Sequence, residues 1–259
     1  MIHRTQSHSW ICALVLGLFA AGCRYRSVPI FLWHSVGEGQ PGDQYDLTPD
    51  EFDAQLTLIE KFGATPITLT QLFDAEDSKG PLPKRPVVLT FDDGRACLYT
   101  QALPILKKHQ MTAENFVVTS YLGEDAQHRV IRQDDQGEHP YLLWSEAKVM
   151  QESGFFKTES HSSNHLRMGL VDEEVQQKEL VESKQDLERR LKVSIPFFAY
   201  PFGSFNTPSL RLAQAAGYRA ALAVDKGIGR RYALKRVSVW RDSTPKVEQA
   251  LQRAFGSAL

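Results

Sequence analysis

The sequence predicts an α/β fold of mainly parallel strands, on three observations. Short apolar, β-branched runs alternate with helical patterns along the body of the chain, which favours parallel strands joined by crossover helices. The residues that carry chemistry fall at the C-terminal ends of those runs, where barrel enzymes place their sites. No internal repeat and no Gly/Ser linker divides the 259 residues, a length that suits one large domain or two small ones. Pattern alone does not separate an open sheet from a barrel.

Residues 1–23 read as an export segment and residues 24–259 as the folded body. Arg4 supplies positive charge, and Trp10 to Ala21 is an apolar run broken by Gly17. The run is too short for a membrane-spanning helix. It ends in Ala20-Ala21-Gly22-Cys23, which resembles a bacterial lipoprotein signal with a lipidated cysteine. Ala20 stands where leucine is usual, so simple secretion and an uncleaved apolar anchor stay open. All three readings put the body outside the cytoplasm. A periplasmic location is expected, with the membrane engaged only through a lipid at Cys23. Of the three cysteines, Cys12 and Cys23 belong to this segment and Cys97 reads as a small buried hydrophobe. A formal net charge of -1 gives no argument for nucleic acid as a partner.

Val28 to Trp33 reads as the first strand, closed by His34. Thr48-Pro49-Asp50-Glu51 has the form of a capping box with proline in the first turn. Phe52, Leu56, Ile59 and Phe62 make the buried stripe of the helix it opens, which Gly63 ends. Thr65 to Leu69 reads as a strand, Thr70 to Ala75 as a short helix and Glu76 to Arg85 as an exposed loop. Pro86 to Leu89 is a buried strand leading into Thr90-Phe91-Asp92-Asp93-Gly94. Ala96 to Gln110 reads as a helix that starts or kinks at Pro104, and Glu114 to Val118 as a strand. Tyr121 to Leu143 is irregular and polar, and its His128 and His139 read as solvent residues. Trp144 to Ser153 is a helix, and Phe155 to Ser160 leads to His161 and His165. Asp172 opens a long helix to Lys192 with Val175, Leu187 and Leu191 among its apolar positions. Ile195 to Tyr200, Tyr218 to Val224 and Leu234 to Val239 read as strands. Helices start at Asn206-Thr207-Pro208 and at Thr244-Pro245.

Two adjacent acids at a strand end can be a helix cap, or both can reach a common site. Two other stretches bear on the choice. One is His161-Ser162-Ser163-Asn164-His165 and the other is Phe198-Ala199-Tyr200-Pro201-Phe202-Gly203. Together with Thr90 to Gly94, in this order, they resemble the motifs of the polysaccharide deacetylase family (carbohydrate esterase family four). The resemblance runs from about Val28 to about Arg241. It implies a distorted, incomplete (β/α) barrel. The aromatic-His-x-Val pattern at His34 is similar to the poly-N-acetylglucosamine deacetylase branch.

Asp93, His161 and His165 form a two-histidine, one-carboxylate metal set if the histidine segment makes one helical turn. Such a set leaves positions open for water and substrate. Zinc is expected first, and nitrogen and oxygen donors also admit cobalt, nickel, manganese or iron. By resemblance, Asp92 is the general base, His34 the catalytic acid and the backbone amide of Phe202 the oxyanion donor. Many family members carry at the place of Ala199 an arginine that orients the base. Arg236 reads either as its substitute or as a surface charge. The family's late histidine is missing, since none follows His165. The resemblance implies an exported deacetylase acting on an N-acetylated polysaccharide. A poly-N-acetylglucosamine-type exopolysaccharide is favoured over peptidoglycan or chitin. The alternatives are an inactive sugar-binding or envelope-assembly protein and a metallohydrolase of a small amide. Trp33, Tyr200 and Trp240, if exposed, would stack on sugar rings.

Overall fold

The computed structural model describes residues 28–39, 42–77, 80–134 and 137–258. The export segment, Cys23 included, lies outside the described residues. No helix among the described residues is long and apolar enough to cross a membrane.

The chain opens with β1 (Ile30–Trp33), β2 (Ser35–Val36) and β3 (Asp46–Leu47). α1 (Pro49–Lys61) begins at a capping box: Thr48 Oγ1 accepts the Glu51 N–H, and the Glu51 carboxylate accepts the Thr48 N–H. β4 is only Thr65–Pro66, because Thr68 leaves the strand to cap α2 (Leu69–Glu76), where it pairs with Gln71. β5 (Pro86–Phe91) carries the acidic motif at its end. The helix expected over Ala96–Gln110 is split. A wide π turn at Leu98–Ala102 precedes α3 (Leu103–Lys108), and the change comes where Pro104 has no N–H to continue the ladder.

β6 (Ala113–Val117) follows, and then a hairpin, β7 (Ile131–Asp134) and β8 (Gly137–Pro140), inside the stretch that looks irregular in sequence. The rest alternates: α4 (Trp144–Glu152), β9 (Phe156–Ser160), α5 (Glu173–Leu191), β10 (Phe197–Ala199), α6 (Thr207–Ala215), β11 (Ala220–Leu222), β12 (Val237–Ser238) and α7 (Thr244–Phe255). α5 buries Leu187 and Leu191 as expected but not Val175. Val175 is 37% exposed, while Gln176, Glu179, Leu180, Ser183, Leu187 and Leu191 are buried. Asp172 sits at its N-cap without a side-chain capping bond.

The main sheet is parallel throughout, in the order β11–β10–β9–β6–β5–β1–β12, with β4 also paired to β5. A parallel bridge between Leu222 and Leu234 reaches across the open side. The architecture is therefore a distorted, incomplete (β/α) barrel. Alternate strand residues face opposite sides. Phe31, Leu89, Val117 and Phe198 pack outward beneath the helices. Ile30, Val88, Phe116, Phe197 and Leu222 fill the interior, together with Leu69, Leu72 and Phe73 of α2. The interior parity of Val88 continues through Thr90 to Asp92. That alternation delivers Asp92 to the mouth of the barrel.

Candidate active site

At the end of β5 the backbone turns through Asp93 (φ 74°) and Gly94 (φ 79°). A left-handed conformation at a non-glycine residue costs roughly 1–3 kcal/mol and persists where the surroundings enforce it. A Cβ on Gly94 would lie 3.0 Å from Val117 Cγ1, so this turn also needs a residue without a side chain. The turn swings the Asp93 carboxylate away from the interior and towards the segment after β9.

That segment does not make the helical turn expected of it. Ser162 (φ 71°) and His165 (φ 59°) are left-handed instead. The loop is held from behind by Glu179 of α5. Its carboxylate accepts the N–H groups of Ser163 and Asn164 at 3.0 and 2.8 Å and the Asn164 side-chain amide at 2.7 Å. Ser162 Oγ accepts the His165 N–H. Nothing in the sequence pattern singles out Glu179, which sits among other acids and lysines of a polar helix.

The two histidines reach Asp93 from this loop. His161 Nε2 lies 3.5 Å and His165 Nε2 3.3 Å from Asp93 Oδ1. The ligand atoms of the three residues all lie within 4.8 Å of one another. His161 Nδ1 is 2.8 Å from the Ala199 carbonyl oxygen, which can only accept. The ring proton therefore sits on Nδ1, and the Nε2 lone pair points at Asp93. Burial pushes His161 down to about 4, so the imidazole is neutral. Burial works in the other direction on Asp93, but the hydrogen bond and charge of His165, with His34 and Arg95, hold it well below the usual carboxylate range. Neutral imidazole nitrogen beside an ionised carboxylate is the donor set a zinc-class divalent cation takes.

Asp92 is 2% exposed and does not join this set. Arg236 is fully buried, which rules out its reading as a surface charge. It grips both carboxylate oxygens, Nη1 to Oδ1 at 2.8 Å and Nη2 to Oδ2 at 2.6 Å, while its Nε donates to the Ala223 carbonyl. Burial would raise Asp92, but the charge and hydrogen bonds of Arg236, together with His161 and His34, outweigh it, so the carboxyl stays below its usual range. Asp92 Oδ2 remains 3.8 Å from His161 Nε2.

His34 lines the same cleft, its ring 4.9 Å from that of Tyr45 and its Nδ1 buried without a partner. Burial lowers its pKa. Phe202 is left-handed (φ 57°), with its ring 4.5 Å from His165 and the Arg167 guanidinium 3.9 Å over it. Behind it, a Cβ on Gly203 would meet Val224 Cγ2 at 2.4 Å, which fixes a glycine there.

The cleft measures about 750 Å³. Of Trp33, Tyr200 and Trp240, whose exposure the sequence leaves open, only Trp240 lines it. Trp33 and Tyr200 lie on the outward parity of their strands and are buried under the helices, hydrogen-bonded to Gln55 and to the Ser209 carbonyl. Tyr45, Tyr121 and Tyr141 line the cleft in their place, with Arg95. His128 is exposed as expected, but His139 is fully buried, clamped between Glu38 and Asp134.

The sequence profile of the polysaccharide deacetylase family matches residues 79–221. The chain is 28% identical over 218 residues to the Bacillus subtilis protein YxkH, covering 82% of this chain and 71% of that one. It is 27% identical over 190 residues to poly-beta-1,6-N-acetyl-D-glucosamine N-deacetylase of Staphylococcus aureus, covering 70% of this chain and 62% of that enzyme. Its fold matches the Streptococcus pyogenes deacetylase PplD in complex with acetate with a TM-score of 0.75. That match has 24% identity over 86% of this chain and 97% of that one. With the family profile spanning both acids, both histidines and the Tyr-Pro-Phe-Gly segment, this chain belongs to the polysaccharide deacetylase family.

Proposed function

We propose that this protein is an exported, metal-dependent N-deacetylase of a poly-N-acetylglucosamine-type polysaccharide. The observation that carries the reading is the convergence of Asp93, His161 and His165 beside a buried, arginine-clamped Asp92 at the floor of one cleft. Asp93, His161 and His165 would hold the metal, zinc first, which when bound supplies Lewis acidity to water and to the amide carbonyl.

The remaining steps belong to the chain. Asp92, kept ionised by Arg236, accepts a proton from the water that attacks the acetyl carbonyl. The Phe202 N–H offers a donor to the carbonyl oxygen as it gains charge. His34 is neutral at rest because it is buried, and the oxyanion forming beside it favours the imidazolium. His34 takes that proton from solvent and gives it to the nitrogen as the C–N bond breaks, releasing acetate and a free amine, while Asp92 returns the proton of the water to solvent. Tyr45 and Trp240 give the cleft aromatic faces for pyranose rings. The similarity to the staphylococcal enzyme supports the choice of glycan.

Acetate release from purified glycans with added zinc, cobalt or nickel tests the reading. Release from poly-N-acetylglucosamine is expected. Activity on peptidoglycan alone would replace the substrate, and silence on every glycan would favour a sugar-binding protein. The export reading predicts fatty-acid labelling at Cys23 in a bacterial host, and an unlabelled soluble periplasmic product would leave simple secretion.

A further inference from the structure

A second group of metal-competent side chains lies at the base of the β7–β8 hairpin. Glu38, Asp43 and His139 place ligand atoms within 4.8 Å of one another. Asp43 is 1% exposed, His139 0%, and the Glu38 side chain 3%. Each carboxylate engages the protein through one oxygen only. Glu38 Oε2 accepts Arg95 Nη1 at 2.9 Å and faces His139 Nδ1 at 2.7 Å, while Oε1 has no partner. Asp43 Oδ1 accepts the Tyr45 N–H at 2.8 Å, while Oδ2 has no partner.

Buried carboxylate oxygens without donors are costly, and two on neighbouring acids also repel each other. The N–H groups of Glu38 and Gly39 go to Asp46 and not to these oxygens. Arg95 brings one positive charge, which it shares with Asp93 at 3.8 Å. His139 turns Nδ1 towards the acids and has Nε2 2.9 Å from Asp134 Oδ1. A carboxylate behind the histidine orients the ring as at metal-ligating histidines generally. The Ala199 carbonyl does the same for His161.

We propose that Glu38, Asp43 and His139 bind a second, structural divalent cation. Two carboxylate oxygens and one imidazole nitrogen suit zinc or manganese. The ion would give both orphaned oxygens a partner. It would also tie the loop between β2 and β3 to the hairpin. That loop carries Tyr45, which packs on His34, and Arg95 connects the cluster to Asp93. The ion therefore shapes a wall of the cleft without touching the reacting atoms. The rival arrangement is His139 held between Glu38 and Asp134 by hydrogen bonds alone, with no ion.

Elemental analysis of the full chain purified with zinc or manganese chloride separates the two. About two ions per chain are expected, about one in Asp43→Asn, and about one in His165→Ala, which cripples the other site. The double variant His165→Ala/Asp43→Asn should hold almost none. In His165→Ala, added metal should raise the melting temperature, because it binds the folded chain. That shift should vanish when Glu38→Gln is added, provided circular dichroism shows the double variant folded. Equal metal content in the parent and Asp43→Asn, with no thermal shift in His165→Ala, would overturn the second site.

Discussion

Replacing Arg236 by methionine removes the side chain that grips both oxygens of Asp92, at little cost in volume. The pair is buried on both sides, 0% and 4% side-chain exposure, and is bidentate at 2.8 and 2.6 Å. Breaking such a pair by deleting one partner costs roughly 3–5 kcal/mol, because a charge is left buried and uncompensated. Asp92 escapes that cost by taking up a proton. Desolvation is already the largest influence on it and would then act with little opposition. The folded-state pKa of Asp92 therefore rises. In the parent the folded-state pKa lies below the ordinary 3.8, so the pair stabilises the fold above that pH and the contribution is lost on acidification. In Arg236→Met the sign reverses: the folded-state pKa lies above 3.8, and stability falls as pH rises through it. The expected result is a large loss of kcat at neutral pH, an acidic limb of kcat/KM shifted upward, and partial recovery in alkaline buffer. Acetate release across a pH series, with melting curves in the same buffers, measures both. A variant with the parent's pH profile and neutral kcat would show that Arg236 does not set the charge of Asp92.

Three further outcomes are expected. Asp92→Asn should keep its metal and lose acetate release, whereas Asp93→Ala, His161→Ala and His165→Ala should each lose metal by elemental analysis. Full occupancy in any of the three would remove that residue from the set. His34→Ala should lower kcat and kcat/KM together by roughly 10²–10⁴-fold on an N-acetyl sugar and far less on an activated aryl ester, which needs no protonated leaving group. Equal impairment on both would make His34 structural. Glu114 is buried at the start of β6, accepting the Leu69 N–H through Oε1 with Oε2 unpartnered, and burial raises it from 4.5 to about 7. The folded chain then holds a proton that the unfolded chain releases, so stability should fall as pH rises from 4.5 through 7, with buried Glu159, raised by its own burial and by Glu114, adding to the slope. Glu114→Gln keeps an acceptor for Leu69 and should flatten that slope in urea unfolding curves; an unchanged slope would place the proton elsewhere.

Local signals in the chain were legible without a structure. The capping box at Thr48, the strand at Pro86 and the helix start at Asn206 depend on neighbours within a few residues, and they form as the sequence indicates. What was illegible depends on partners far along the chain. Arg236 meets Asp92 across 144 residues, and His139 meets Glu38 across 101. Neither distance leaves a trace in periodicity, so Arg236 stays open between orienting the base and a surface charge, and a histidine in a polar stretch looks like surface. The exposure of the aromatics was illegible for a related reason. Trp33 and Tyr200 each lie near a motif in sequence, but strand parity sends them outward into the layer beneath the helices. The outward parity was readable in principle, from Phe31 for Trp33 and from Phe198 for Tyr200.

The same parity explains why two neighbouring acids serve two different ends. On a continuous strand, Asp92 and Asp93 would face opposite sides, one into the barrel and one into the helical layer, where a bare carboxylate has no partner. Asp92 keeps the strand's alternation and meets Arg236 at the mouth of the interior. Asp93 leaves the alternation through a left-handed turn that Gly94 and the side chain of Val117 make tight. The conformational cost falls on the residue that faces the histidines, and the unstrained residue takes the arginine. A carboxylate fully committed to Arg236 is a poor candidate for a ligand, and one 3.3–3.5 Å from two imidazole nitrogens is poorly placed to be a free base. The separation of base from ligand thus follows from the backbone geometry of two consecutive residues, before any metal is considered.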